Sequence, residues 1–517
     1  MRDYPAIVRE TINVSLSGMT TSCQTIEINA INSTNLIGNN RVSPREKLLT
    51  SSQRGDNVLP TAIRCGHRNA KPRCLPAKTV GDAVKRRSWK GVNMKASKIV
   101  VGLASLTLVL AACSSGEDDA ASTPEETTAS ESASAEETAE ETVSVDSVVI
   151  GSVHPLTGGL AADGLQMDAG AQFAADDINA AGGIKCLDGA TIEIASGDST
   201  GSPEVGQSEA ERLIAEGAIA LVGPYQSAVA ANIATVAERN GVPFVIDAAV
   251  ANSILEQGYK NTFRIQPNAA VFGTQGAKFL KEMVDAEGID VSKVAHMYEQ
   301  SSFGTSVYEA FKAQAETYGW TVEPAISYDA FGVTDLTTEM TEVKAADADV
   351  LVLTGYYGDG LLATQAFDAV KPDVKLVYGL AQGAIDNPAF PADSAGAGEG
   401  FFNTNYHLDV TNPTTMDVAA RFATSYGEEM TSSAVYSYEA VQLIATALEV
   451  SCSDDPLALR DAISSIEADT LLASLGPVAF NEAGENVNAS PIVMQVQDGK
   501  IVQVYPEAVA ESAPRFN

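Results

Sequence analysis

The chain has 517 residues, with 33 Lys and Arg against 67 Asp and Glu and a formal net charge of −34. That length allows a leader and two domains with a large core. The charge excludes nucleic-acid binding, because phosphate contacts need Lys and Arg.

The acidity is unevenly spread. Residues 1–112 carry 17 basic against 6 acidic side chains, and residues 113–517 carry 16 against 61. Two compositions are joined end to end, and Met94 stands near the join. Lys95 and Lys98 make a short positive head, Ile99 to Leu110 form an uncharged, mostly apolar run, and Leu110-Ala111-Ala112-Cys113 closes it. Those are the three zones of a secretory signal, and the run is shorter than the roughly 20 residues of a spanning helix. The closing tetrapeptide resembles the lipobox of bacterial lipoproteins, in which the cysteine thiol takes a diacylglycerol. The expectation is a signal over 94–112, a lipid anchor on Cys113, and an exported remainder held at a membrane surface. Residues 1–93, which would bury that signal, read as a mis-assigned start or a segment removed with it.

From Gly116 to Thr142 there are ten acids and no base. Such a stretch cannot bury enough apolar surface to order itself, so 113–146 reads as a disordered tether. It lacks the spaced ligands and turn glycine of a calcium loop. Past the anchor only Cys186 and Cys452 remain. Outside the cytoplasm they are candidates for a disulfide, which geometry decides.

From Ser147 short β-branched runs alternate with amphipathic stretches. Strands are expected at Val148–Val153, Thr191–Ala195, Ile219–Val222 and Pro243–Ile246, with helices at Asp168–Ala181, Glu204–Glu216 and Ala228–Arg239. After Phe263-Arg264-Ile265 the cycle restarts. Helices Val271–Glu287, Thr305–Tyr318, Thr337–Ala346 and Leu361–Val370 alternate with strands Val294–Tyr298, Thr321–Ile326, Val350–Leu353 and Lys375–Tyr378. This alternation predicts an α/β fold of mostly parallel sheets flanked by helices. Two full cycles predict two lobes with a ligand cleft between them, since ligands sit outside the carboxyl ends of parallel strands.

Several motifs carry a specific resemblance. Ile150-Gly151-Ser152-Val153-His154-Pro155-Leu156-Thr157-Gly158 looks like the opening strand and turn of type I solute-binding proteins. Asp176-Asp177-Ile178-Asn179-Ala180-Ala181-Gly182-Gly183-Ile184 resembles the helix end that follows it. Leu221-Val222-Gly223-Pro224 with Ser227, and Val242-Pro243-Phe244 with Ala248-Ala249, match the ligand loops. The likeness runs from Ser147 to Pro506 and is strongest to the leucine/isoleucine/valine-binding proteins of ABC importers. It implies a first lobe of 147–267 with 402–489 and a second of 268–401 with 490–507. Helices Asp417–Tyr426 and Tyr438–Val450 then belong to the first lobe, and strands Ile492–Val496 and Ile501–Val504 to the second. It also implies a permease with ATPase subunits as partner, and no cofactor or metal.

The resemblance places a carboxylate-gripping serine at Ser227, beside Tyr225 and Gln226, with the backbone of Ala248 and Ala249 as a second grip. Ser227 also reads as a simple helix cap. Three departures bear on the solute. Val250 stands where the family has a threonine, Asp163 where it has an aromatic residue, and Gln382 where a glutamate neutralises the solute's ammonium. An amide cannot balance that charge, so Asp163 or Asp386 supplies it, or the solute has no ammonium. Phe303 and Tyr356 are expected as aromatic walls.

An enzyme reading is weaker. Gly197-Asp198-Ser199-Thr200-Gly201 superficially resembles a serine nucleophile segment, but His154, His296 and His407 show no telling spacing to it. No dinucleotide or phosphate loop and no zinc helix appears. A sensor lipoprotein that reports solute without moving it fits the same sequence, as does a receptor for an amide or small carboxylate.

Overall fold

The computed structural model describes residues 145–516. The expected export signal, Cys113 and nearly all of the expected tether lie outside those residues. Within them, none of the helices is long and apolar enough to cross a membrane.

The first sheet holds five parallel strands in the order β2-β1-β3-β4-β5. They are β1 (Ser147–His154), β2 (Thr191–Asp198), β3 (Ala218–Gly223), β4 (Phe244–Ile246) and β5 (Thr262–Arg264). Helices α1 (Ala161–Ala180), α2 (Pro203–Ala215) and α3 (Ser227–Asn240) connect the first four. Alternation along the strands divides the burial. Ile150, Val222 and Val245 pack with Met167 and Ala171 of α1, while Leu221, Phe244 and Ile246 pack with Leu213 of α2 and Ile233 of α3. A sheet covered on both faces is the reason its strands read as near-continuous apolar runs. Each such side chain fully removed from water contributes about 1.5–3 kcal/mol.

The second sheet holds seven strands, β12-β11-β10-β9-β8-β6-β7. Strands β6 (Lys293–Glu299), β7 (Thr321–Tyr328), β8 (Val350–Gly355), β9 (Leu376–Gln382) and β10 (Phe402–Asn405) run parallel. Strands β11 (Ile492–Gln497) and β12 (Lys500–Tyr505) extend it antiparallel. Helices α4 (Ala269–Ala286), α5 (Ser302–Thr317), α6 (Thr337–Ala346) and α7 (Tyr357–Val370) cover it, followed by the short α8 (Phe390–Asp393). Strand β10 places residues 402–405 in the second sheet, so the boundary drawn at 401/402 falls four residues early. Its sequence, Phe402-Asn403-Thr404-Asn405, is mostly polar and gave no apolar run to register as a strand.

Beyond β10 the chain recrosses to the first sheet. Helices α9 (Pro413–Tyr426), α10 (Ser432–Ser451) and α11 (Pro456–Ile463) follow. The apolar face of α10 joins the core beside α1 and β3. The sheets are thus linked by three crossings: after β5, after β10 and before β11.

Helices α1 and α10 each begin six or seven residues earlier than the sequence pattern predicted. Gly164 and Gly170 weaken the helical reading of α1, because glycine disfavours helix interiors. Tertiary contact explains both. A Cβ on Gly164 would lie 2.1 Å from the Pro155 carbonyl oxygen, and one on Gly170 would lie 2.0 Å from that of Ala434 in α10. The helices pack too closely there for any other residue. Cys186, just past α1, and Cys452, at the end of α10, form a disulfide with Cα atoms 5.2 Å apart. It ties the same two helices at their far ends.

Candidate functional site

A cavity of about 530 Å³, counting its open mouth, lies where loops of both sheets meet. Its first-lobe wall starts at Gly223, whose φ of 122° and closeness to the Val153 carbonyl leave no room for a Cβ. The chain then turns through Pro224-Tyr225-Gln226 into α3. Gln226 is the N-cap residue, and no side chain caps the helix. Ser227 does not cap either. Its Oγ accepts from the N–H groups of Val250, at 3.2 Å, and Ala251, at 3.1 Å, which pins the loop after β4 against α3. Arg264 donates to the Ala251 carbonyl at 3.0 Å and steadies that loop from behind. With both lone pairs engaged, Ser227 keeps its O–H to donate. That hydroxyl, beside the uncapped amides of α3, is an arrangement chemically suited to an anion.

The second-lobe wall is aromatic. Tyr356 caps α7, and its N–H donates to Asp359 at 2.9 Å. The Tyr328 hydroxyl donates to the other oxygen of Asp359 at 2.8 Å. Burial pushes the Asp359 carboxyl up to about 7. Thus fixed, the Tyr356 ring meets Tyr225 across the cleft at 5.7 Å, Phe303 at 5.4 Å and Phe331 at 5.5 Å. Phe331 is 58% exposed at the rim, unusual for so large an apolar side chain. Phe303 is set by the start of α5, where Glu299 accepts from the N–H of Gly304 at 2.6 Å.

The remaining wall comes from the crossings. Gln266 follows β5, Asn405 ends β10, and Ser433 and Tyr436 project from α10. Asp386, after β9, faces the cavity as its one lining carboxylate. One of its oxygens lies 3.5 Å from His407 Nε2 yet makes no hydrogen bond. Burial pushes Asp386 up to about 6, with His407 acting in the opposite direction. Asp163 is buried nearby in the first turn of α1. Burial, then the charge of Asp386, pushes it up to about 7, and the Ser433 hydroxyl acts against that rise.

Seven of the residues named from the sequence meet at this cavity: Tyr225, Ser227, Ala248, Val250, Phe303, Tyr356 and Asp386. Four others do not line it. Gln226 turns away to donate to the Gly201 carbonyl at 3.1 Å, and Ala249 is sealed in the core behind β4. Asp163 stands one layer back and lies in a helix rather than the expected loop. Gln382 accepts from the Ala384 N–H at 2.7 Å, with its side chain against Gly360 of α7. Residue 381 has φ of 50°, and the β8–β9 register shifts nearby, so Ala381 and Gly383 face the cavity while Gln382 faces away. Sequence reasoning missed Gln266, Phe272, Asn405, Ser433 and Tyr436. No local motif marks them, because the crossings bring them in.

The serine segment that raised the enzyme reading forms a buried turn. Ser199 is fully buried and accepts from the Gly201 N–H at 3.3 Å, as a turn residue does. Ser437, His154 and Asp247 do meet, with the serine hydroxyl 3.3 Å from His154 Nε2 and donating to Asp247 at 2.6 Å, but all three are fully buried. A nucleophile must donate to the imidazole and be reachable. Ser152 extends the cluster, lying 2.9 Å from His154 and donating to Asp168 at 2.8 Å. The group ties β1, α1, α10 and the loop after β4 beneath the site. Among the described residues, no group of three or more His, Cys, Asp or Glu is placed to hold a metal ion.

Comparison with known proteins agrees with this architecture. The Leu/Ile/Val-binding protein homolog 7 of Brucella abortus (strain 2308) is 29% identical over 383 residues, covering 71% of this chain and 94% of its own length. A leucine-binding protein of Thermotoga maritima superposes with a TM-score of 0.61 at 21% identity, covering 69% of this chain and 98% of its own. A solute-binding protein of an ABC transporter from R. palustris, solved with benzoate, gives 0.60 at 19%, covering 71% and 98%. At those identities the two structures speak to the fold alone. The family model described as periplasmic binding protein matches residues 147–500, more than half of the chain. With two α/β lobes and a cavity between them, the chain belongs to the periplasmic binding protein family.

Proposed function

We propose that this protein is an extracytoplasmic receptor that captures a branched-chain or related amino acid in the interlobe cavity. It is held at the membrane by lipid on Cys113 and delivers the solute to an ABC permease whose ATPase subunits supply the energy. The observation that carries the solute assignment is the pair of opposite poles. The Ser227 hydroxyl and the α3 amides suit a carboxylate. Asp386, facing the same cavity without Lys or Arg beside it, suits an ammonium. The rings of Tyr225, Phe303 and Tyr356 offer an apolar wall to the side chain between them. Relatives named for leucine, isoleucine and valine support the same class. Solute that contacts both lobes favours the closed arrangement over the open one.

A second reading, a carboxylate solute without ammonium, is favoured by the aromatic wall and by the benzoate-bound neighbour. Thermal melting of the full chain against leucine, isoleucine, valine, benzoate and small amides separates the two. A ligand at 100 times its dissociation constant adds ~2.7 kcal/mol, which shifts the midpoint visibly. A shift with the three amino acids and none with benzoate is the expected result. The reverse pattern overturns the amino-acid assignment.

A further inference from the structure

His407 lies two residues past Asn405, which ends β10 and forms part of the cavity wall. Its backbone is held from two directions. The Ala473 N–H donates to the His407 carbonyl at 2.9 Å, and the hydroxyl of Tyr436, itself a cavity residue, donates to the carbonyl of Tyr406. The ring is held as well. Gln503 of β12 donates through Nε2 to the Leu408 carbonyl at 2.6 Å, and the same nitrogen lies 3.2 Å from His407 Nδ1. His407 Nδ1 is also 3.0 Å from that carbonyl, so this edge of the imidazole is occupied. The Nε2 edge faces an oxygen of Asp386 at 3.5 Å. Asp386 lines the cavity, and both side chains are largely buried. Among the described residues, Asp386 forms no ion pair with Lys or Arg, and that oxygen has no hydrogen bond.

A carboxylate taken out of water picks up a proton unless a donor or a cation stands beside it. Once protonated, it no longer balances an ammonium. For Asp386 to stay an anion, the nitrogen facing it must carry a hydrogen, because a bare Nε2 lone pair would repel the oxygen. The occupied edge accommodates that requirement. Nδ1 accepts from Gln503 if the ring is neutral, and donates to the Leu408 carbonyl if the ring is charged.

We propose that His407 is a positioning residue for Asp386, its Nε2–H holding the carboxylate as an anion turned into the cavity. The charge balance that the sequence places at Gln382 then comes from the Asp386–His407 pair, whose imidazole is delivered by the crossing after β10. Burial pushes Asp386 up to about 6 and His407 acts against that rise, in keeping with the pairing. That Asp386 receives an ammonium rests on the amino-acid reading above; the pairing itself does not.

Two measurements on the full chain test the pairing. Nitrogen NMR of protein labelled at histidine reads the ring directly, with His407→Gln identifying the His407 signals. Nε2 should carry a hydrogen at pH 8. Calorimetry then compares leucine with 4-methylpentanoate, the same skeleton without ammonium. His407→Leu should narrow the preference for leucine by about tenfold or more, with 4-methylpentanoate little changed. His407→Gln, whose amide N–H can stand in for Nε2–H, should keep that preference within about threefold. A bare Nε2 in the wild type overturns the pairing, and so does a His407→Leu variant that keeps the preference or loses both solutes alike. Should His407→Leu fail to fold, the NMR reading and the His407→Gln preference decide. A wild type with Nε2–H that binds 4-methylpentanoate as tightly as leucine keeps the pairing and overturns the amino-acid assignment.

Discussion

The two poles proposed for the cavity are built in different ways. The anion pole is local: strand β3, a three-residue turn and helix α3 are continuous in sequence, and one nearby loop completes it through Ser227. The opposite pole is assembled from Asp386 after β9 and from Ser433 and Tyr436 on α10, which the crossing after β10 brings together. A pole made from a strand–turn–helix unit keeps its chemistry as long as that unit folds. The assembled pole depends on where α10 docks, and a close contact at Gly170 and a disulfide hold α10 to α1.

That contrast can be broken at several points. The largest effect belongs to Asp386→Asn. Leaving the solute's ammonium without its carboxylate should weaken leucine binding by about 100-fold or more at pH 8, read by calorimetry. Loss of less than a few-fold would move the cation pole elsewhere. Replacing both Cys186 and Cys452 by serine should lower stability by about 2–4 kcal/mol, because the bond closes a loop of 266 residues. If the assembled pole depends on that clamp, leucine affinity falls with it, whereas an isolated stability loss would mean packing alone suffices.

Ser227→Ala should weaken carboxylate binding by about 1–3 kcal/mol while the protein stays folded. An unchanged affinity would remove Ser227 from the anion pole. The smallest effect is expected at Gln382→Met, within about threefold in affinity, because that side chain points at Ala384 and α7 instead of the cavity. A large loss there would return the residue to the site.

Legibility in the sequence followed the same line. Helix α6 was predicted with its observed limits, Thr337–Ala346, and most strands to within two residues, since their alternation and turn residues are local signals. Strands β2 and β9 were exceptions, running three and four residues past their predicted ends, and the end of β9 decides where Gln382 points. The predicted residues that meet at the cavity do so because each sits on a loop or helix start just past a parallel strand, where the fold class alone puts a ligand. Asp163 was read as a loop residue because Gly164 disguised the start of α1, and the close approach that demands this glycine appears only in three dimensions. Gln266, Asn405, Ser433 and Tyr436 carry no motif at all.

By itself, then, the sequence determined the alternating α/β pattern, the two cycles, the family likeness and the serine turn, all read from local stretches taken one element at a time. Tertiary structure decided which carboxylate faces the solute, which glutamine does not, and which helices are bound by the disulfide. These depend on where three chain crossings bring distant segments to rest, and hydrophobic periodicity says which face of an element is buried but not what it is buried against.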